Sequence, residues 1–373
     1  MATEKRNIKI KGITIQGYKS ISLNHPLHLE LGNKAILLGA NGAGKSNIIS
    51  FFKLLEAMTK EYLQMYIAQN GSNQIFLYYG AKITPKLAAT ICFEAEEIEI
   101  KYSFWLAFAV PNKLIISSES VETYNKMGEK LNITEINSDF YESGLGKCKD
   151  AICQDIKALL EKCKVYQFSD SSQVAPIRQT APVESAHYLQ SDAGNLASFL
   201  YYLKNNYRFY YNRIVSYTES IMPQFKDFYL EPDRSYISLK WIDKSANDYV
   251  FSPAQLSDGT IRYIALATLL LQPKETMPSV IIIDEPELGL HPYAIDQLAY
   301  MIQEASLKAQ VIVATQSPTL IDNFKLDDIT VIERDEDNQY TVANKMDEGH
   351  FSEWLQEYSV SELWAKNVIG GRP

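Results

Sequence analysis

Apolar side chains fall at every second position over much of the first 125 residues. Ile8-Lys9-Ile10-Lys11 and Leu27-His28-Leu29-Glu30 show this period, that of a strand with one buried face. It returns over 88–94, 97–110 and 113–124. Within these, Glu97-Ile98-Glu99-Ile100-Lys101-Tyr102 predicts an antiparallel strand with one wet face. A helix is predicted over 45–67. The chain then turns helical between 146 and 225, mainly over 148–164 and 195–222, and two strands follow at 228–230 and 236–242. A further helix starts after Ser257 and runs to 271. From 279 the pattern reads strand, helix over 292–308, strand over 310–315, a short helix, strands at 329–333 and 340–343, and a last helix over 351–358.

Two unbroken apolar runs carry the chemistry. Ala35-Ile36-Leu37-Leu38 leads into Gly39-Ala40-Asn41-Gly42-Ala43-Gly44-Lys45-Ser46, followed by the helical run from Asn47. A strand, a GxxxxGKS loop and a helix form a phosphate loop: the glycines let backbone N–H groups converge, and the helix offers its positive end. Lys45 is expected to reach the β- and γ-phosphates of ATP, and Ser46 to ligate Mg²⁺. The second run, Val280-Ile281-Ile282-Ile283, has four apolar residues of which three are Ile, as in a strand buried on both faces. It delivers Asp284 and Glu285 to a sheet edge. Asp284 is the expected Mg²⁺ partner and Glu285 the expected general base.

A third element follows the same logic. Leu256-Ser257-Asp258-Gly259-Thr260 precedes the apolar stretch 263–271, so Ser257 is the predicted N-cap and Ser257 and Gly259 open a second anion site. One nucleotide needs one phosphate loop. A second anion site points to the γ-phosphate of a nucleotide held by another subunit.

With these motifs the chain resembles the ABC-type ATPases of the RecF/SMC/OLD group, and among them the bacterial stand-alone RecF-like proteins. The opening 13–21 is similar to that group's start. Ser257-Asp258-Gly259 sits at its signature, Asp284 to Pro292 at its Walker B strand and D-loop, and Gln316 at its switch; the closing run 362–373 is also similar. The resemblance implies an α/β, ABC-type P-loop ATPase head with a mixed sheet, an N-terminal antiparallel β subdomain and an inserted, mainly helical lobe. Residues 1–125 and 275–373 would form the nucleotide-binding lobe, and 126–274 the inserted lobe ending in the signature helix. The implied function is an ATPase that closes head-to-tail as an ATP-bound homodimer. It would act as a clamp or switch in DNA repair or anti-phage defence, in the cytoplasm, with a partner effector; DNA is a candidate partner on resemblance alone. The implied catalytic pair is Glu285 and Gln316, with nucleotide contacts from residues 39–47, Ser257 and Gly259.

Departures from the group matter. Gln316 stands where many relatives carry His, and an amide cannot accept a full positive charge, so turnover is expected to be slow. This keeps a second reading open, a nucleotide-gated scaffold with negligible turnover. Asp258, where transporter ATPases usually have Gly, and the spacing of 212 positions from Lys45 to Ser257 argue against a third, a transporter motor. That insert has no sustained heptads, so no long coiled coil is expected. Only 88 residues follow Glu285, too few for an added nuclease domain.

Composition changes this picture little. The 373 residues are 46% hydrophobic and 22% charged, as in an ordinary globule. No apolar run is long enough for a membrane span, and the opening Met1-Ala2-Thr3-Glu4-Lys5-Arg6 has no signal-type apolar core. Cys92, Cys148, Cys153 and Cys163 form no C-x₂-C pair, so zinc is not expected and reduced thiols are. The net charge of −9 offers no basic excess for nucleic acid, and the lysines over 147–164 alternate with acids as on a solvated helix face. Several candidates stay open: Tyr18 as adenine platform or core residue, Gln74 or Gln69 as Q-loop residue, Arg178 as a phosphate contact in trans or part of a surface loop, and His291 as turn residue or cross-dimer contact.

Overall fold

The structure, a computed structural model, describes residue 6, residues 8–335, residue 337 and residues 339–371. The first five positions of the polar N-terminus, and Arg372 and Pro373 of the closing run, lie outside the described residues. The chain packs as two compact units, Met1–Lys164 with Lys325–Pro373, and Val165–Phe324. This division by packing differs from the lobes by role expected from the motifs. The strand Val280–Asp284 and the signature helix share the second unit, and the phosphate loop lies in the first.

The first unit holds an antiparallel sheet in the order Leu27–Glu30, Lys9–Gln16, Lys86–Glu94, Ile98–Ala109, Lys113–Asn125, Lys130–Glu135. The period-two pattern explains it: Ile100, Tyr102, Phe104 and Leu106 are buried and their neighbours are partly wet. Phe51 of the helix Lys45–Thr59 stacks on Phe104, with ring centroids 6.4 Å apart. Burying an aromatic of this size contributes about 1.5–3 kcal/mol. A second group of strands is mixed. Ile329–Arg334 runs antiparallel to Thr341–Lys345 and parallel to Lys34–Leu38.

Three expectations in this unit need correction. The helix predicted over 45–67 is two, Lys45–Thr59 and Leu63–Gln69, parted by Glu61 at φ 58°. The Glu142 carboxylate accepts from the N–H groups of Leu63 and Gln64 (2.7 and 3.1 Å) and so starts the second helix. The strand Lys130–Glu135 was not predicted, because nearly all its side chains are exposed and no apolar period marks it. The helix predicted over 351–358 is replaced by two short 3₁₀ turns, Glu348–Phe351 and Trp354–Gln356. The helix comes later, Val360–Ala365, begun by a capping box between Ser359 and Glu362.

The second unit is built on the helix Asp258–Leu271, buried from Ile261 onward apart from partly covered Arg262. Helices Arg208–Ile221 and Pro292–Ala305 pack on it. The strands Val280–Asp284 and Gln310–Thr315 pair in parallel, with Asp284 opposite Ala314. The helix predicted over 195–222 breaks at Tyr207 into Leu196–Asn206 and Arg208–Ile221. A small sheet of Phe225–Tyr229, Lys240–Asp243 and Ala246–Phe251 follows, its last strand hidden in the sequence by a polar start. Among the described residues the longest helix has 15 residues, and none is long and apolar enough to cross a membrane.

Candidate functional site

The phosphate loop is shaped by what surrounds its glycines. A Cβ on Gly39 would stand 2.2 Å from the Ile332 carbonyl oxygen, and one on Gly44 would stand 2.2 Å from Thr341 Oγ1. Gly44 also sits at φ 117° and Gly42 at φ 81°, where a side chain is strained. The buttress behind the loop is a hydrogen-bonded chain. Asn47 Nδ2 donates to Ser20 Oγ (2.7 Å), Ser20 Oγ meets Thr341 Oγ1 (2.7 Å), and Thr341 Oγ1 donates to the Ala43 carbonyl (3.0 Å). Arg334 Nε adds a bond to the Gly42 carbonyl at 3.1 Å. Sequence reasoning gave no site role to Ser20, although it lies in the opening run 13–21, and missed Arg334 and Thr341, which lie far from the loop in the chain.

The helix Lys45–Thr59 opens on Gly44 without a side-chain cap, which leaves its positive end for an anion. Lys45 is buried, and its ammonium donates to the carbonyls of Gly39 (2.6 Å) and Ala40 (3.0 Å), closing the loop on itself. Ser46 and Asn41 are exposed. A cleft of about 1010 Å³ opens on residues 40–43, lined also by Tyr79, Arg334 and Asn367; Tyr79 is 66% exposed there. Tyr18 does not line it. Its ring is fully buried against Phe51, its hydroxyl meets Ser50 Oγ at 2.9 Å, and burial pushes its pKa up. Tyr18 is a core residue. Gln74 is committed as well, its Oε1 accepting from Ala81 N–H at 2.7 Å; Gln69 ends a helix in the open.

In the second unit, Glu285 follows the strand Val280–Asp284 in a left-handed conformation, φ 45°. Such a conformation costs a non-glycine residue about 1–3 kcal/mol and is held here by its neighbours. Glu285 N–H donates to the Ala314 carbonyl (2.9 Å), and Leu288 N–H donates to the Glu285 carbonyl (3.2 Å). The turn aims the carboxylate at the end of the next strand, where Gln316 Nε2 donates to Glu285 Oε1 at 3.3 Å. The expected catalytic pair is therefore in contact. Asp284 ends the strand, partly exposed.

The signature helix is N-capped by Ser257 as the sequence predicted: Ser257 Oγ accepts from Thr260 N–H at 3.1 Å. Ser257 and Asp258 are exposed. Gly259 is required by close approach, because a Cβ there would stand 2.4 Å from the carbonyl oxygen of Gly289 in the D-loop. Arg262, one turn along, donates Nη1 to the Leu288 carbonyl (3.0 Å), Nε to the Phe168 carbonyl (2.9 Å) and Nη2 to the Ser169 carbonyl. Signature and D-loop are thus one tied structure. His291 serves as N-cap of Pro292–Ala305, its Nδ1 accepting from Tyr293 N–H.

Arg178 is neither a surface-loop residue nor open to a phosphate. It is buried, and its guanidinium donates to the carbonyls of Ser171 (2.8 Å), Pro253 (2.5 Å) and Leu256 (3.2 Å) and to Asp258 Oδ1 (2.7 Å). It holds the segment that leads into the signature. Replacing Arg178 with Ala is expected to cost about 3 kcal/mol or more of stability, because buried carbonyls lose a charged donor. A thermal unfolding midpoint equal to that of the wild type would refute this clamp.

Residues 176–322 match the family described as "AAA domain, putative AbiEii toxin, Type IV TA system". A curated relative, the thiamine import ATP-binding protein ThiQ of Histophilus somni, is 27% identical over 131 residues. That stretch is 35% of this chain and 57% of the relative, so the chain spans little more than half of that protein's length. Solved structures with the same fold include an SMC head bound to the C-terminal winged-helix domain of ScpA (TM-score 0.55, 14% identity, covering 91% of this chain and 99% of that one). Others are the SMC head domain of Thermotoga maritima (TM-score 0.50, 14% identity, 91% and 99%) and an SMC head with extended coiled coil bound to the C-terminal domain of ScpA from Pyrococcus furiosus (TM-score 0.55, 13% identity, 94% and 99%). The fold is that of an SMC-like P-loop ATPase head, and its motif set is similar to that of the ABC-type ATPases.

Proposed function

We propose that the protein binds and slowly hydrolyses ATP in sites completed by a second copy of the chain. The observation that carries this is the second helix opening. Gly259 is packed against the D-loop while Ser257 and Asp258 beside it are left exposed, although the phosphate loop alone suffices to hold one nucleotide. Residues 39–47 of one copy would cradle the phosphates, and Ser257 and Gly259 of the other would cap the γ-phosphate.

The residues fit nucleotide and Mg²⁺. The glycines at 39 and 44 stand where any Cβ would collide, and the exposed Ser46 hydroxyl and the Asp284 carboxylate are hard oxygen donors. When bound, the ion draws charge from the phosphate oxygens. Lys45, freed from the Gly39 and Ala40 carbonyls, would neutralise the β- and γ-phosphates. Tyr79, the exposed aromatic in the cleft beside residues 40–43, would meet the nucleoside in place of buried Tyr18. Glu285 would take the proton of the attacking water while Gln316 fixes its carboxylate. Loss of the γ-phosphate would then remove the contact shared by the two copies and open the dimer.

The setting we propose is DNA repair or defence against phage, in the cytoplasm, with a separate effector. Support comes from the SMC-like fold, from relatives bound to a ScpA domain, and from a family whose description includes a toxin–antitoxin system. The observation that favours a scaffold with negligible turnover is Gln316, an amide at the switch. Steady-state phosphate release, with and without DNA, separates the two readings. Nucleotide binding itself is tested by Lys45→Ala, which is expected to lose about 1.5–3 kcal/mol, or about 10- to 100-fold in affinity for a fluorescent ATP analogue. Equal affinity of the two proteins would mean that Lys45 is not the phosphate lysine.

A further inference from the structure

Glu287 is a half-buried residue with an enclosed carboxylate oxygen next to the proposed catalytic pair, and the scheme above gives it no part. Its Oε1 accepts from Thr315 Oγ1 (2.5 Å) and from the backbone N–H of Gln316 (3.3 Å). Thr315 Oγ1 in turn accepts from Ser317 N–H at 2.9 Å. Thr315 and Gln316 are thus tied directly to one carboxylate, and Ser317 is tied to it through Thr315. Burial raises the pKa of Glu287, and its Oε2 is enclosed without a hydrogen-bond partner among the described residues. A carboxylate with one oxygen enclosed in this way is expensive, and a residue placed only to fill space there would be apolar.

The geometry explains the cost. Gln316 is held twice, by its backbone N–H on Glu287 and by its side-chain amide on Glu285. The two acids are two residues apart in the turn after Val280–Asp284, and Pro286, buried, stiffens the turn between them. Fixing the backbone of Gln316 decides where its side chain reaches, and so which way the Glu285 carboxylate faces.

We propose that Glu287 is a positioning residue for hydrolysis, which anchors the switch segment 315–317 and through Gln316 orients Glu285. This rests on the reading of Glu285 as base. It adds that the switch is set from the acidic turn and not by the nucleotide alone. The anchor works by accepting hydrogen bonds, so a carboxamide oxygen can replace it and a methyl group cannot.

The test is steady-state ATP hydrolysis by the full chain, alongside affinity for a fluorescent ATP analogue and thermal unfolding. Glu287→Ala is expected to lower kcat about 10- to 100-fold, the size of effect that misplacing a catalytic group produces. KM and analogue affinity should stay within about threefold. Glu287→Gln should recover most of the lost kcat, and Thr315→Val should lose kcat in the same direction. The double variant Glu287→Ala/Gln316→Ala should be no slower than Gln316→Ala alone, because both changes break one chain of contacts. Independent, multiplying losses would overturn the proposal, as would a Glu287→Gln variant as slow as Glu287→Ala. If Glu287→Ala unfolds, the Gln and Thr315→Val variants carry the test by themselves. Glu285→Gln, measured in parallel, separates the failures. If it hydrolyses at the wild-type rate, the base assignment fails; if it is inactive while Glu287→Ala is not, only the positioning role fails.

Discussion

A Glu285→Gln protein is expected to bind ATP normally and to lose hydrolysis by about 100- to 10,000-fold, the usual contribution of a positioned general base. The substitution keeps the shape of the side chain and can keep a hydrogen bond to Gln316. It should also keep the turn, because the left-handed backbone at residue 285 is held by main-chain bonds to Ala314 and Leu288. What it removes is the proton acceptor. With the γ-phosphate left in place, the closed dimer should accumulate in ATP and Mg²⁺ and appear as a larger species by size-exclusion chromatography. Wild-type phosphate release by this variant would make Glu285 a structural residue.

Ser257→Arg should act differently. It puts a bulky cation on the helix opening proposed to meet the partner's nucleotide. Loss of the N-cap bond to Thr260 costs about 1 kcal/mol, which a helix buried from Ile261 onward can absorb. Lys45 and Asp284 are untouched, so a single chain should bind the ATP analogue as tightly as the wild type. ATP-driven dimerisation and hydrolysis should both disappear. Ser257→Ala loses the same cap without the bulk, and should keep dimerising; if it fails as completely as the Arg variant, the cause is the helix and not the contact.

The sequence announced those parts of the site whose chemistry lies in consecutive residues. The phosphate loop, the acidic strand end and the Ser257 cap were legible because each is a short backbone geometry demanding particular residue types in order. The antiparallel sheet was legible through its period of two. What could not be read depends on distant partners. The helix break at 60–62 rests on Glu142, and the strand Lys130–Glu135 lacks an apolar face. Arg178 read as a phosphate contact in trans or a surface-loop residue because two of its acceptors are backbone carbonyls some 75 positions away, which no side-chain pattern reveals. Tyr18 stood at the right spacing for a base platform, yet Ser50, Phe51 and Phe76 enclose it. Nothing in the sequence sets Glu287 apart within the stretch from Asp284 to Pro292; only the fold brings Thr315 and Gln316 onto it.

The central claim is that one active site needs two chains, and mixing two inactive variants tests it most directly. Ser257→Arg keeps its phosphate loop and Lys45→Ala keeps its signature. Neither should hydrolyse ATP alone. A mixed dimer has one intact site, with the loop from the first chain and the signature from the second. Equimolar mixing should therefore restore phosphate release well above the sum of the separate rates, with a dependence on protein concentration. A mixture no more active than its components, or a Ser257→Arg monomer that hydrolyses ATP at the full rate, would contradict the composite site and place the reaction within a single chain.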